Sequence, residues 1–287
     1  METTELLKKV RKIEIRSRGL TRQIFAGEYH SAFRGRGMAF SEVREYQFGD
    51  DIRNIDWNVT ARLGHPYVKV FEEERELTVM LLVDVSRSGE FGTVASTKRE
   101  MMTEIAAVLA YSVIANNDKV GLMLFSDRVE KYIPPKKGRG HMLRIIRELL
   151  SYEPSGNGTS LSEPLRYLTN VLRKRCTAFI LSDFMAQPFT EALRVASGKH
   201  DLVALRISDR REKELPDVGF MKVLDPESGR ELWIDTSSPA IRREYAEQWR
   251  KHDQAVTTSF VSSGVDVASI GTGEDYIKPL ISLFKHR

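Results

Sequence analysis

The hydrophobic rhythm of the chain changes near Glu76. Downstream of it, short unbroken apolar runs alternate with longer stretches of helical periodicity. Residues 77–83 (LTVMLLV) are nearly all apolar, as a central parallel strand covered on both faces must be. Residues 119–125, 177–181, 201–207 and 265–270 read as further strands. Between them, residues 98–116 place Met101, Ile105, Val108, Leu109 and Val113 on one helical stripe. Helices are also predicted over 141–150, 162–173, 189–197, 241–261 and 275–284, with Pro164 in a first turn, where proline is tolerated. Two segments depart from the alternation. Residues 128–133 read as a short strand with an antiparallel partner, ended by Pro134-Pro135, and 217–236 as a hairpin turning at 225–229. Strands alternating with helices predict an α/β fold: a doubly wound, mostly parallel sheet with a hairpin insertion towards the C-terminus.

Upstream the pattern is different. Residues 3–26 carry Leu6, Leu7, Val10, Ile13, Leu20 and Ile24 at roughly helical spacing, which predicts one or two amphipathic helices. Residues 27–40 are glycine-punctuated and read as loop. The stretch from 41 to 74 is aromatic, charged and turn-rich, with short strand-like pieces at best. This divides the chain into an N-terminal extension, 1–75, and a sheet domain, 76–287, with the extension expected to wrap the domain. Tyr46 and Trp57 are expected as buried anchors of that segment. Asp50, Asp51 and Asp56 are interleaved with Arg44, Arg53 and Arg62. Three carboxylates so close can hold a catalytic metal, but Arg–carboxylate pairs that pin a loop are the preferred reading.

Composition narrows the class. Hydrophobic residues at 41% and charged residues at 29% are those of a globular protein, and no apolar run is long enough to span a bilayer. The N-terminus lacks the apolar core of a secretory signal, so the expected location is cytoplasmic. Cys176 opens an apolar run and reads as a buried structural thiol rather than a nucleophile. The net charge of +4 is local: residues 1–36 hold 9 Lys/Arg against 4 Asp/Glu, and the remainder 35 against 36. Such an arm can meet nucleic acid or anionic lipid. It lacks the interleaved aromatics of a base-stacking surface, so no specific nucleic-acid partner is expected and a solvated helix face is preferred.

In open parallel sheets ligands bind at the carboxyl ends of the strands. Those ends here carry Asp84, Ser86 and Ser88 after the first strand, Thr159 in the loop 156–160, and Asp183 after the strand at 177–181. All five are oxygen donors. Hard cations such as Mg²⁺, or Mn²⁺ or Ca²⁺, take such ligands, and an Asp-x-Ser-x-Ser turn points alternate side chains to one side. With hydroxyls supplying much of the shell, the ion keeps excess positive charge and favours one more carboxylate from outside. That is binding chemistry, so a non-enzyme is expected. The alternatives are helix capping by Asp84 and the serines, and a metal-dependent hydrolase using carboxylates at the strand ends. Against the hydrolase, no Ser/His/Asp or Cys/His ordering marks a nucleophile. His30, His65, His141, His200, His252 and His286 show no metal-binding spacing. No glycine-rich loop ends in Gly-Lys-Ser or Gly-Lys-Thr, so the chain does not read as an ATPase.

The five residues resemble the metal-ion-dependent adhesion site (MIDAS) of von Willebrand factor A domains. The segment Gly37-Met38-Ala39-Phe40-Ser41-Glu42-Val43-Arg44-Glu45-Tyr46-Gln47-Phe48-Gly49-Asp50-Asp51-Ile52-Arg53-Asn54-Ile55-Asp56-Trp57 resembles the signature of the bacterial family called domain of unknown function 58. Thr60-Ala61-Arg62, Val68-Lys69-Val70-Phe71-Glu72, Lys98 and Asp118-Lys119-Val120-Gly121-Leu122 extend the likeness, which covers roughly 30–210 and more weakly the rest. The resemblance implies a von Willebrand factor A/Rossmann-like fold with a MIDAS, and a protein partner, a MoxR-type AAA+ ATPase. Many relatives carry transmembrane helices; none is read here. Where relatives often have Ser-Met, this chain has Ser88-Gly89-Glu90, which places an additional carboxylate near the site.

Overall fold

A computed structural model describes residues 38–73, 77–92, 97–156, 158–186, 188–224, 231–285 and 287. The expected helices over 3–26, the basic arm, most of the loop over 27–40 and the hairpin turn at 225–229 lie outside them. Between the described residues up to Leu77 and those from Thr78 onwards the structure separates into two compact units.

The larger unit is built on six strands: β3 (Thr78–Asp84), β4 (Lys119–Phe125), β5 (Val129–Lys136), β6 (Thr177–Ser182), β7 (Asp201–Ser208) and β10 (Asp266–Gly271). Their order is β10-β7-β6-β3-β4-β5, parallel except for β5, which runs antiparallel to β4 at the edge. This is the doubly wound, mostly parallel sheet expected, with the chain reversing direction across the sheet between β3 and β6. The central strands carry no polar alternation because both faces are covered. Met80, Leu82, Ala178 and Ile180 pack towards α4 (Ser162–Val171), α5 (Thr190–Lys199) and α7 (Pro239–Ser263). Phe179 points the other way and meets Phe284 of α8 (Ile277–Lys285) edge-on at 6.2 Å. Also in this unit are α2 (Lys98–Ala115) and α3 (Arg139–Ser151), which pack together, and the short α6 (Arg210–Lys213) after β7. α2 starts with a reciprocal cap: Thr97 accepts from the Glu100 N–H, and Glu100 accepts from the Thr97 N–H.

β5 departs from expectation. It runs on through Pro134 and Pro135 to Lys136 instead of ending before them. An edge strand leaves one row of N–H groups without a ladder partner, which is where proline fits, and the register with β4 slips between Val120 and Leu122, opposite the prolines. The insertion after β7 is a hairpin, β8 (Phe220–Leu224) against β9 (Glu231–Asp235).

The smaller unit, 33–77, is more regular than its sequence implies. β1 (Met38–Glu45) and β2 (Tyr67–Glu73) pair antiparallel with an irregularity between Phe40 and Glu42, so residues 38–40 are strand and not loop. A 3-10 turn (Ile52–Asn54) and α1 (Trp57–Leu63) lie between them, and Gly64 ends α1 at φ 75°, where glycine is favoured. The carboxylates here serve structure. Arg44 grips Asp50 through two hydrogen bonds of 2.7 and 2.8 Å and holds its carboxyl below the ordinary value. Asp51 accepts from the Arg53 N–H, and Asp56 caps α1 through the Asn58 and Val59 N–H groups. Tyr46 is half-buried, but Trp57 is 68% exposed and is no buried anchor. It opens a seven-residue helix that buries none of its residues.

Candidate functional site at the strand ends

β3 delivers Asp84 to the carboxyl edge of the sheet at the point where the strand order reverses. The carboxylate is buried and fully engaged: Oδ1 accepts from the Ser86 N–H at 2.9 Å and Oδ2 from the Ser182 hydroxyl at 2.6 Å. The second bond ties the end of β3 to the end of β6. Ser86 and Ser88 hydroxyls lie 3.0 Å apart on a 3-10 turn (Arg87–Glu90), and Ser86 makes no side-chain cap to that turn. The Ser86 side chain therefore does not cap that turn, and α2, the helix that follows, is capped by Thr97 instead. Burial, with Asp183 beside it, pushes the Asp84 carboxyl up to about 6, against hydrogen bonds from Ser182 and Ser86.

Asp183 is buried as well. Its Oδ1 accepts from the Met185 N–H at 3.0 Å, and its Oδ2 from Lys98 Nζ at 2.5 Å. Lys98 is 0% exposed and its ammonium also pairs with Glu212 of α6. Burial alone would lower the Lys98 pKa; Asp183 and Glu212 outweigh it and hold it above the ordinary lysine value. Glu212 is itself fixed, because its other oxygen accepts from the Asp209 N–H at 2.9 Å. Glu90, by contrast, is mostly exposed and sits 4.0 Å from Arg99.

Thr159 comes from a loop pinned to the neighbouring strand end. Asp84 is in register with Phe125, whose carbonyl accepts from the Val85 N–H at 2.8 Å. Ser126, the next residue, accepts from the Ser160 N–H through its carbonyl at 2.8 Å. Glu130 braces the same loop, accepting from Ser126 Oγ, the Gly156 N–H, Ser155 Oγ and Tyr152 OH at 2.6 to 3.0 Å. Burial alone would raise its pKa; these donors bring it down to about 2. Gly156 lies so close to Ser126 and Asp127 that a Cβ there would overlap both side chains. The Thr159 hydroxyl is buried and finds no hydrogen-bond partner among the described residues.

An orphaned buried hydroxyl is costly unless a ligand answers it. The donors here are carboxylates and hydroxyls only, the set a hard divalent cation takes. Among the described residues no group of three or more His, Cys, Asp or Glu side chains is placed to hold a metal, so a cation site must draw on hydroxyls. The residues fit such an ion. A thiol nucleophile does not fit: burial drives Cys176 up to about 12 and its neighbour His200 down to about 4.

A doubly wound, mostly parallel sheet with helices on both faces defines an α/β protein, and its strand ends and the loops after them carry Asp84, Ser86, Ser88, Thr159 and Asp183. The family described as "Protein of unknown function DUF58" matches residues 42–255, and the chain belongs to it. "Uncharacterized protein Rv1480" of Mycobacterium tuberculosis is 30% identical over all of this chain and 91% of its own length. "Uncharacterized protein YeaD" of Bacillus subtilis is 29% identical over 38% of this chain and 25% of its own. Among solved structures, the conserved hypothetical protein BatB from Bacteroides thetaiotaomicron covers 74% of this chain and 100% of its own at 15% identity, with a TM-score of 0.47. The SpRpn10 VWA domain covers 72% and 94% at 14% identity, with a TM-score of 0.38. The fold assignment stands on this chain's own strand order and crossovers. No helix among the described residues is long and apolar enough to cross a membrane.

Proposed function

We propose that the chain is a metal-dependent protein-interaction module, with no catalytic role of its own, whose partner presents a carboxylate to a strand-end MIDAS. Asp84, Ser86, Ser88 and Thr159 would hold a Mg²⁺ or similar divalent ion, with Asp183 reaching it through water. The ion supplies a positive charge at the protein surface that an Asp or Glu of a partner can complete. The observation that carries this reading is the Thr159 hydroxyl, buried without a partner. The chain's own residues do the rest: Ser182 and the Ser86 N–H aim the Asp84 carboxylate, and the Glu130 brace sets the Thr159 loop.

A MoxR-type AAA+ ATPase is the proposed partner, and that choice rests on the family resemblance of the 37–57 segment. The test is a pull-down of the ATPase encoded in the same genome, with Mg²⁺, with EDTA, and with Asp84→Ala. Capture is expected with Mg²⁺ alone. Capture that persists undiminished in EDTA and in the variant sinks the reading.

A further inference from the structure

Lys98 belongs to neither the ligand set nor an ordinary surface. It is a fully buried cation at the first position of α2, where a positive charge works against the helix dipole. A lysine is held there only because something stronger answers it, and two carboxylates from separate elements do, Asp183 after β6 and Glu212 on α6. Both Asp183 oxygens are thereby occupied, one by Lys98 and one by the Met185 N–H.

We infer that Lys98 is the specificity-determining residue of the strand-end site, trading grip on the cation for a preference for anionic ligands. The inference rests on the metal reading above and deepens it. Asp84, Asp183 and Glu212 bring three negative charges, and Lys98 cancels one of them. The two that remain are matched by a divalent ion, so the loaded cluster is neutral and an arriving carboxylate meets no excess negative charge. Without Lys98 the same cluster holds the ion more tightly and repels the carboxylate. Coulomb forces between such sites are felt strongly because the groups are buried and weakly screened.

The test uses the full chain and Mn²⁺ alone, followed by calorimetry, with acetate then added to the Mn²⁺-loaded protein and water relaxivity recorded. Lys98→Met, close in shape and uncharged, is expected to bind Mn²⁺ about tenfold or more tightly and to lose at least about tenfold in acetate affinity. Glu212→Gln keeps the lysine and removes one negative charge, so it is expected to bind Mn²⁺ about threefold or more weakly. A purely structural role would move both variants in the same direction. Variants that move alike, or Lys98→Met that keeps acetate affinity, overturn the inference while the metal reading stands. A folded wild type that binds no Mn²⁺ overturns both. If Lys98→Met loses its near-UV circular dichroism, Glu212→Gln decides alone: unchanged or tighter Mn²⁺ binding overturns the inference.

Discussion

Asp84 is a carboxylate whose surroundings favour the proton. Its folded-state value of about 6 lies above the ordinary 3.8, so native protein keeps a proton that unfolded chain has already lost between those pH values. The Asp84 contribution to stability without metal is therefore expected to fall as pH rises from about 4 to about 6, by roughly 3 kcal/mol, while His200, held down at about 4, contributes in the opposite direction over the same window. Glu130 has the opposite shift, and its contribution is lost only as pH falls from its ordinary 4.5 towards about 2, below most of that window. Urea midpoints of the wild type and of Asp84→Asn, measured in EDTA at pH 4.5 and 7, check this: the variant should gain stability relative to the wild type as pH rises, and parallel pH dependences would refute the assignment to Asp84. At this scale the sequence was legible for residues whose role follows from spacing: Asp84, Ser86 and Ser88 sit where a strand must end. Glu212 was not legible, because its meaning depends on Lys98, 114 positions away. Lys98 did leave a trace in the sequence, a positive charge in a helix's first turn. Trp57 was misjudged because a large aromatic usually marks a core, and a seven-residue helix offers it none.

The central strands announced themselves, since β3, β4 and β6 are apolar on both faces and nothing but burial explains such runs. β1 and β2 did not, because strands mixing charged and apolar residues in a two-stranded ribbon blur the period of two. β5 was cut short for a sound reason, proline, that does not apply at a sheet edge. The loop from β5 through α3 to Thr159 shows how elements position a site that none of them owns. Gly156→Ala tests that. The new methyl would overlap Ser126 Oγ and Asp127, and the Ser126 hydroxyl cannot yield without releasing Glu130. A loss of about 1–3 kcal/mol in stability is expected, with weaker Mn²⁺ binding, both read from one set of thermal melts with and without the ion. A melt unchanged from wild type would show that the loop adjusts freely.

For the whole molecule, fold class and hairpin insertion followed from the alternation of runs, and the family match over 42–255 includes both the 37–57 signature's greater part and most of the sheet. The partner was never readable from patterning, since partner choice is written in surface chemistry that periodicity ignores.

The tie between distant segments has one more consequence, and it concerns time. Ser182 reaches Asp84 across 98 positions, and Lys98 reaches Asp183 across 85. Such closures come late, after the sheet has paired, because long loops must be ordered before their contacts help. On the proposed metal reading, a divalent ion would thus meet its site only past the folding barrier. At a concentration of about 100 times its dissociation constant it should slow unfolding about a hundredfold and leave the refolding rate untouched. Stopped-flow traces with and without Mg²⁺ would read this directly, and faster refolding would mean the strand ends assemble early. The ion would then act as a latch on a finished molecule, lengthening its lifetime without hastening its birth.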